Sequence, residues 1–250
     1  MKKILSLAAT ALFILTSCSK DDAIQPINNV NTGILLKKAI VTVNNEEPVT
    51  TEYTYNGNKL SSINYSDGRS ATYTYENDLL VKIREFSNDE LFRIIDLGFS
   101  GMSNGHVTIN TYTDEGTLRE TRNFVPDFEG KIISKEYIGN TYSKRKVITA
   151  NGANISYISI YNGSSHTSFE NISYTYDVKN NPFRNMHSNN ILSLVMQKGG
   201  ASNSITYYHS NLGESESSDT QYTYNEHNFP ITSTETKSNG EVITTQYFYE

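Results

Sequence analysis

The side chains best suited to metal or acid–base work here are five histidines: His106, His166, His187, His209 and His227. They are scattered with no close pair, whereas a metal site needs several convergent ligands. Glu214, Glu216 and Asp219 fall in one polar stretch and offer oxygens to a calcium ion. That stretch lacks the glycine-punctuated geometry of calcium loops, so it reads as a solvated loop. Asp89-Glu90 and Asp114-Glu115 are carboxylate pairs, and a glycosidase needs two carboxylates facing each other across a sugar. Turn chemistry already explains both pairs. The chain contains no metalloprotease helix, phosphate loop, Gly-x-Ser-x-Gly elbow or paired-cysteine site. We expect no catalytic set, no metal and no cofactor. The 18 tyrosines are the remaining candidates. They read either as a stacking platform for sugars or peptides or as the core and cross-strand ladder of a sheet, and their regular spacing favours the ladder.

One further residue invites chemistry of another kind. Cys18 is the only cysteine, so no intramolecular disulfide forms. It follows a positive Lys2-Lys3 start and an apolar run from Ile4 to Leu15 that is too short to span a bilayer as a mature helix. Leu15-Thr16-Ser17-Cys18 resembles a bacterial lipobox, in which the leader is cut before the cysteine and the thiol receives a diacylglycerol. Ser19-Lys20-Asp21-Asp22 is similar to the acidic surface-export signal of lipoproteins from one Gram-negative phylum. The resemblance implies lipid attachment at Cys18 and an outer-membrane lipoprotein facing outward. Loss of residues 1–17 takes Lys2 and Lys3 from the 21 basic side chains, leaving 19 against 27 acidic ones. A nucleic-acid partner wants the opposite sign. Membrane contact through the anchor and a glycan or protein ligand are the partners left to consider.

The elements that would position these residues are strands. Tyr53-Thr54-Tyr55, Leu60 and Ile63 recur twenty residues later as Tyr73-Thr74-Tyr75, Leu80 and Ile83. An aromatic face alternating with a β-branched polar face is the period of a pleated strand. Asn56-Gly57, Asp67-Gly68 and Asn77-Asp78 supply residues that tolerate positive φ at tight corners. Two strands cannot bury an apolar face alone, and corners every 8–12 residues continue along the chain, the mark of an antiparallel meander. We expect about fourteen strands in a single all-β domain over 33–250, after a leader at 1–17 and a lipidated tether at 18–32. The pattern breaks at Asn180-Asn181-Pro182-Phe183. Beyond it, Ile191, Leu192, Val195 and Met196 have helical spacing, which predicts one short helix near 189–198. Asn189 or Asn190 would be its N-cap and Lys198-Gly199 its stop. Asn211 to Asp219 reads as a polar loop.

The Tyr-x-Tyr-Asn…Leu-x-x-Ile unit closing on a glycine turn resembles the YD (Rhs-type) repeat of bacterial surface proteins. Together with the lipobox and Tyr174-Thr175-Tyr176-Asp177 leading to Asn181-Pro182-Phe183, it is similar to a group of uncharacterised lipoproteins with a porin-like fold. The segment between Phe92 and Ala150 departs from the Tyr-x-Tyr pattern. The resemblance implies a closed barrel, which removes unpaired sheet edges. A barrel of this size has a wide lumen, so its interior would be wet, lined by tyrosine, or plugged by the 183–200 insertion. A membrane-spanning barrel needs an outward apolar band, and the frequent charges and threonines in the strands argue against one. The functional expectation is a non-catalytic, lipid-anchored envelope protein whose β scaffold binds a ligand or partner. A glycan-binding accessory lipoprotein is the second reading and a hydrolase the third.

Overall fold

The computed structural model describes residues 33–100, 106–127 and 129–250. Cys18, the leader, the tether and the corner at 101–105 lie outside the described residues. The first eight strands are β1 (Leu36–Val43), β2 (Val49–Asn56), β3 (Lys59–Tyr65), β4 (Arg69–Glu76), β5 (Leu79–Ser87), β6 (Glu90–Ser100), β7 (His106–Thr113) and β8 (Leu118–Pro126). Next come β9 (Ile132–Ile138), β10 (Thr141–Asn151), β11 (Asn154–Asn162) and β12 (Glu170–Tyr176). After an insertion holding helix α1 (Asn189–Met196), the chain finishes with β13 (Ser204–Asn211), β14 (Glu214–Tyr224), β15 (Pro230–Lys237) and β16 (Val242–Tyr249). Each strand pairs antiparallel with its chain neighbours, and β16 returns to β1, so the sheet is a closed barrel with no free edge.

The strand tally therefore rises from about fourteen to sixteen. The stretch from Asn211 to Asp219 is not a loop: only Leu212-Gly213 turns, and Glu214 already pairs with Asn211. Alternating Ser and Glu carries no apolar face, which is why it reads as loop. In the barrel, however, Glu216 pairs with His209 on the inner face, and Glu214 and Ser215 stay exposed.

Directly opposed residues share a face of the sheet. Tyr53 opposes Ile63, Ile63 opposes Ala71, Tyr73 opposes Ile83, and Ile83 opposes Ile95. Ile63, Ala71, Ile83 and Ile95 are buried, so this face is the interior. The alternate positions, such as Glu52, Thr54, Thr72, Thr74, Gln221, Thr223, Thr232 and Thr234, are exposed. Among the described residues no apolar band runs round the outer wall, because β2, β4, β14 and β15 present polar side chains there.

The corners form as their residues dictate. Gly57 takes φ +64° in the β2–β3 turn, and Asn77 and Asp78 take +47° and +66° in the β4–β5 turn. Four Tyr-Thr-Tyr strands share one further feature: at Tyr53–Tyr55, Tyr73–Tyr75, Tyr174–Tyr176 and Tyr222–Tyr224 the register shifts between the Thr and the second Tyr. The partner strand bulges there, at Ser61, Val81, Ile205 and Ile231 respectively. Each bulge keeps the second tyrosine facing inward beside its new partner. Tyr55 then sits on Leu60 and Tyr75 on Leu80, both fully buried.

Candidate functional site

The insertion between β12 and β13 folds onto one mouth of the barrel. Its two roots are tied together: Asp177 N–H donates to Asn203 O at 3.1 Å, and Asn203 N–H donates to Asp177 Oδ1 at 3.1 Å. The Tyr224 hydroxyl also donates to Asp177 Oδ2. From these roots the segment reaches the corners around it. His187 N–H donates to Asn58 O at 2.9 Å, and Asn185 Nδ2 donates to Ile34 O at 3.0 Å. Ala201 N–H and Ser202 N–H both donate to Asn154 Oδ1, and Asn180 N–H donates to Asn228 O. Corners from both sides of the barrel therefore hold one strap.

Helix α1 runs within that strap. Leu194 and Val195, each 7% exposed, join the apolar core made by inward residues including Leu80, Ile95, Ile109, Phe124, Ile148 and Ile158. Phe183 packs edge-on against Tyr53 with ring centroids 5.4 Å apart, and Met186 joins Leu60 and Ile63. The expected helical face is corrected in part: Ile191, Leu192 and Val195 pack on the core as the spacing requires, but Leu194 is buried with them and Met196 is 74% exposed. The caps also differ. Ser188, in a left-handed conformation and without a side-chain cap bond, stands at the N-terminus, and Gln197 ends the helix two residues before Gly199.

The carboxyl end of α1 meets two cations. Arg122 Nη1 donates to Val195 O at 3.0 Å, and Lys146 Nζ donates to Gln197 Oε1 at 2.8 Å. Cations suit the unsatisfied carbonyls and negative dipole end of a helix. Each is also paired within the wall. Lys146 lies 2.5 Å from Glu136, and Arg122 lies 2.8 Å from Glu120 in a charge contact without an aligned hydrogen bond.

Beyond these pairs, toward the opposite mouth, the lining is charged. Arg93 and Glu85 pair at 2.6 Å. His209 Nε2 lies 2.9 Å from Glu170 and Nδ1 lies 3.2 Å from Glu216, whose carboxylate also accepts from the Tyr207 hydroxyl at 2.8 Å. The Tyr207 bond, followed by the His209 bond, holds the Glu216 carboxyl below its usual range. The lumen is thus filled by apolar side chains of the strap at one end and lined by ion pairs in its other half.

The structure does not assemble the residues that sequence spacing singled out. His166 and His227 are exposed, His187 belongs to the strap and His209 to the lumen. Among the described residues no group of three or more His, Cys, Asp or Glu could hold a metal ion. Glu216 faces inward beside His209, while Asp219 is exposed on the other face of β14, so the three acidic groups of that stretch do not converge. Asp89, Asp114 and Glu115 sit at exposed corners. The tyrosines divide by face. Tyr53, Tyr55, Tyr73, Tyr75, Tyr222 and Tyr249 point inward, and burial raises the pKa of each. Sequence reasoning missed Arg122 and Lys146. The only signal was the basic run Lys144-Arg145-Lys146 in a strand, where alternation must send its members to opposite faces.

No protein-family model matches this chain, and no curated protein matches it. Among solved structures, a porin-like protein from Bacteroides vulgatus ATCC 8482 is 12% identical, with a TM-score of 0.50 over 87% of this chain and 99% of that one. A porin-like protein from Bacteroides uniformis ATCC 8492 is 14% identical, covering 86% of this chain and 96% of that one, with a TM-score of 0.40. At such identities the likeness to the Bacteroides vulgatus protein is one of fold: the chain is an all-β closed barrel of porin-like architecture.

Proposed function

We propose that this chain is a lipid-anchored barrel of the outer-membrane envelope that serves as a non-catalytic, non-conducting binding scaffold. The observation that carries this reading is the strap. A barrel of sixteen strands ordinarily leaves an aqueous channel, yet here Leu194 and Val195 fill the core and Arg122 and Lys146 clamp the helix end. The polar outer wall supports attachment through Cys18 rather than through the strands. Binding then belongs to the surface of the barrel, because the strap fills one end of the interior and the charged groups lining the rest are paired with one another.

Two measurements on the full-length protein test the reading. In planar lipid bilayers it should produce no unit conductance steps; regular ohmic steps would overturn the non-conducting assignment. In cell fractionation, Cys18→Ser should move the protein out of the membrane fraction. Retention of that variant in carbonate-washed membranes would overturn the anchor.

A further inference from the structure

The outer wall is not uniform. Its tyrosines, Tyr112, Tyr137, Tyr142, Tyr157, Tyr161 and Tyr208, all lie on strands β7 to β13. The outward positions of β14, β15, β2 and β4 are instead dominated by Thr, Ser and Glu. Within the tyrosine half, pairing sets Thr121, Tyr137 and Tyr142 in one outward row. The adjacent row reads Thr108, Asn123, Lys135, Arg145 and Tyr161.

Lys135 and Arg145 are directly opposed across β9 and β10. Like charges in that relation destabilise a sheet, and their neighbours on that face, Asn123, Tyr137, Val147 and Tyr161, include no carboxylate. Glu136, the nearest acid in sequence, faces the lumen and is occupied by Lys146. The Arg145 guanidinium is held in place: it lies 4.4 Å over the Tyr161 ring and donates to Ser165 O at 3.3 Å, while its buried Nε has no hydrogen-bond partner among the described residues. Two opposed cations on a chain of net charge −6 make an anion site that the fold itself does not need.

Beside them is a shallow depression of about 330 Å³ lined by Leu118, Thr121, Asn123, Tyr137, Gly139 and Asn140. That is the lower end of the roughly 300–1,000 Å³ typical of small-ligand sites. Tyr137 is braced by Tyr142, with ring centroids 5.5 Å apart. Asn123 accepts the Thr108 hydroxyl on its amide oxygen at 3.0 Å, which leaves the amide NH₂ as the end available to a ligand. An aromatic face, oriented amide and hydroxyl groups and two adjacent cations together suit a hydroxyl-rich ring that carries a carboxylate.

We propose that the outer wall over β8, β9 and β10 binds an acidic oligosaccharide. A sugar ring lies against Tyr137, Thr121 and Asn123 hydrogen-bond its hydroxyls, and Lys135 and Arg145 take the uronate carboxylate. The proposal rests on the binding-scaffold reading and specifies its ligand class. A nucleic acid is disfavoured because the excess acidic charge repels a long polyanion.

Isothermal titration of the detergent-solubilised full-length protein with a galacturonate tetramer, against a neutral galactose tetramer, tests the site. We expect the acidic tetramer to bind, to weaken as salt rises, and to lose affinity about tenfold or more in Lys135→Gln, Arg145→Gln and Tyr137→Ala. Lys38→Gln, which removes a cation lying over Phe248 on the opposite wall, should bind as the parent does. Lys135→Gln should also melt at or above the parent temperature, since the like-charge opposition is gone. Equal binding of the neutral tetramer, no binding of the acidic one, or undiminished binding by Lys135→Gln and Arg145→Gln would each overturn the site. None of those results touches the conductance or fractionation outcomes, so failure here is distinguishable from failure of the scaffold reading.

Discussion

Tyr55 and Tyr176 occupy the same place in two Tyr-Thr-Tyr strands, yet their hydroxyls meet different surroundings. Tyr176 donates to Ile155 O at 2.6 Å, joining the wall to the corner that also holds the strap. The Tyr55 hydroxyl is buried without a partner among the described residues. A satisfied buried hydrogen bond contributes about 1 kcal/mol, whereas an unpaired hydroxyl contributes only its desolvation cost. Tyr176→Phe should therefore lower the free energy of unfolding by about 1 kcal/mol or more, because Ile155 O would lose that donor. Tyr55→Phe should leave stability unchanged or slightly raised. Urea unfolding of the two variants checks the contrast, and equal losses would contradict it.

At the scale of elements, α1 is a short helix that would not persist alone. An isolated helix of 8 residues is well below the length that is stable in water. Its order comes from Leu194 and Val195 in the core, from Arg122 and Lys146 at its carboxyl end, and from the corners that hold the strap. The return path is equally constrained. Gly200 has φ +153°, and a Cβ there would lie 2.3 Å from Ala153 O, so only glycine passes that point. Leu194→Ala should cost about 2–5 kcal/mol, the usual range for emptying a buried leucine site. Because the strap is tertiary in origin, its backbone should become cleavable by protease before the strands do. Limited proteolysis with mass analysis tests this, and first cleavage within the strands would contradict it.

For the whole molecule, closure converts a row of hairpins into one cooperative object whose interior is rich in tyrosine. Burial pushes Tyr75 and Tyr174 up to about 12 from 10.0, and it raises Tyr53, Tyr73, Tyr222 and Tyr249 as well. A hydroxyl whose folded pKa lies above its unfolded value contributes stability that is complete below pH 10. That contribution is lost as pH rises from 10 through the folded value. Each such tyrosine adds a slope of at most about 1.4 kcal/mol per pH unit over that window. The urea midpoint should therefore fall steeply between pH 10 and about 12, with the tyrosinate absorbance of the lumen residues appearing together with unfolding. A midpoint that stays flat across the window, or tyrosinate formation by the inward tyrosines while the barrel is still folded, would contradict the buried ring of tyrosines.

Local properties were readable without coordinates. The Tyr53 and Tyr73 repeat, the Asn-Gly and Asn-Asp corners and the alternation of Tyr with Thr follow from period, sterics and turn chemistry, which act over a few residues. They determined an antiparallel all-β meander with an insertion near 183–200. Other properties depend on groups far apart in the chain. That β16 seals against β1, that α1 is clamped by Arg122 and Lys146, and that Lys135 and Arg145 oppose each other outside were decided only by the tertiary structure. The reason is physical: a strand's alternation says which residues share a face, but not which face is the interior. Ser and Glu in β14, or Lys and Arg in β10, acquire their meaning only from what the closed sheet places opposite them.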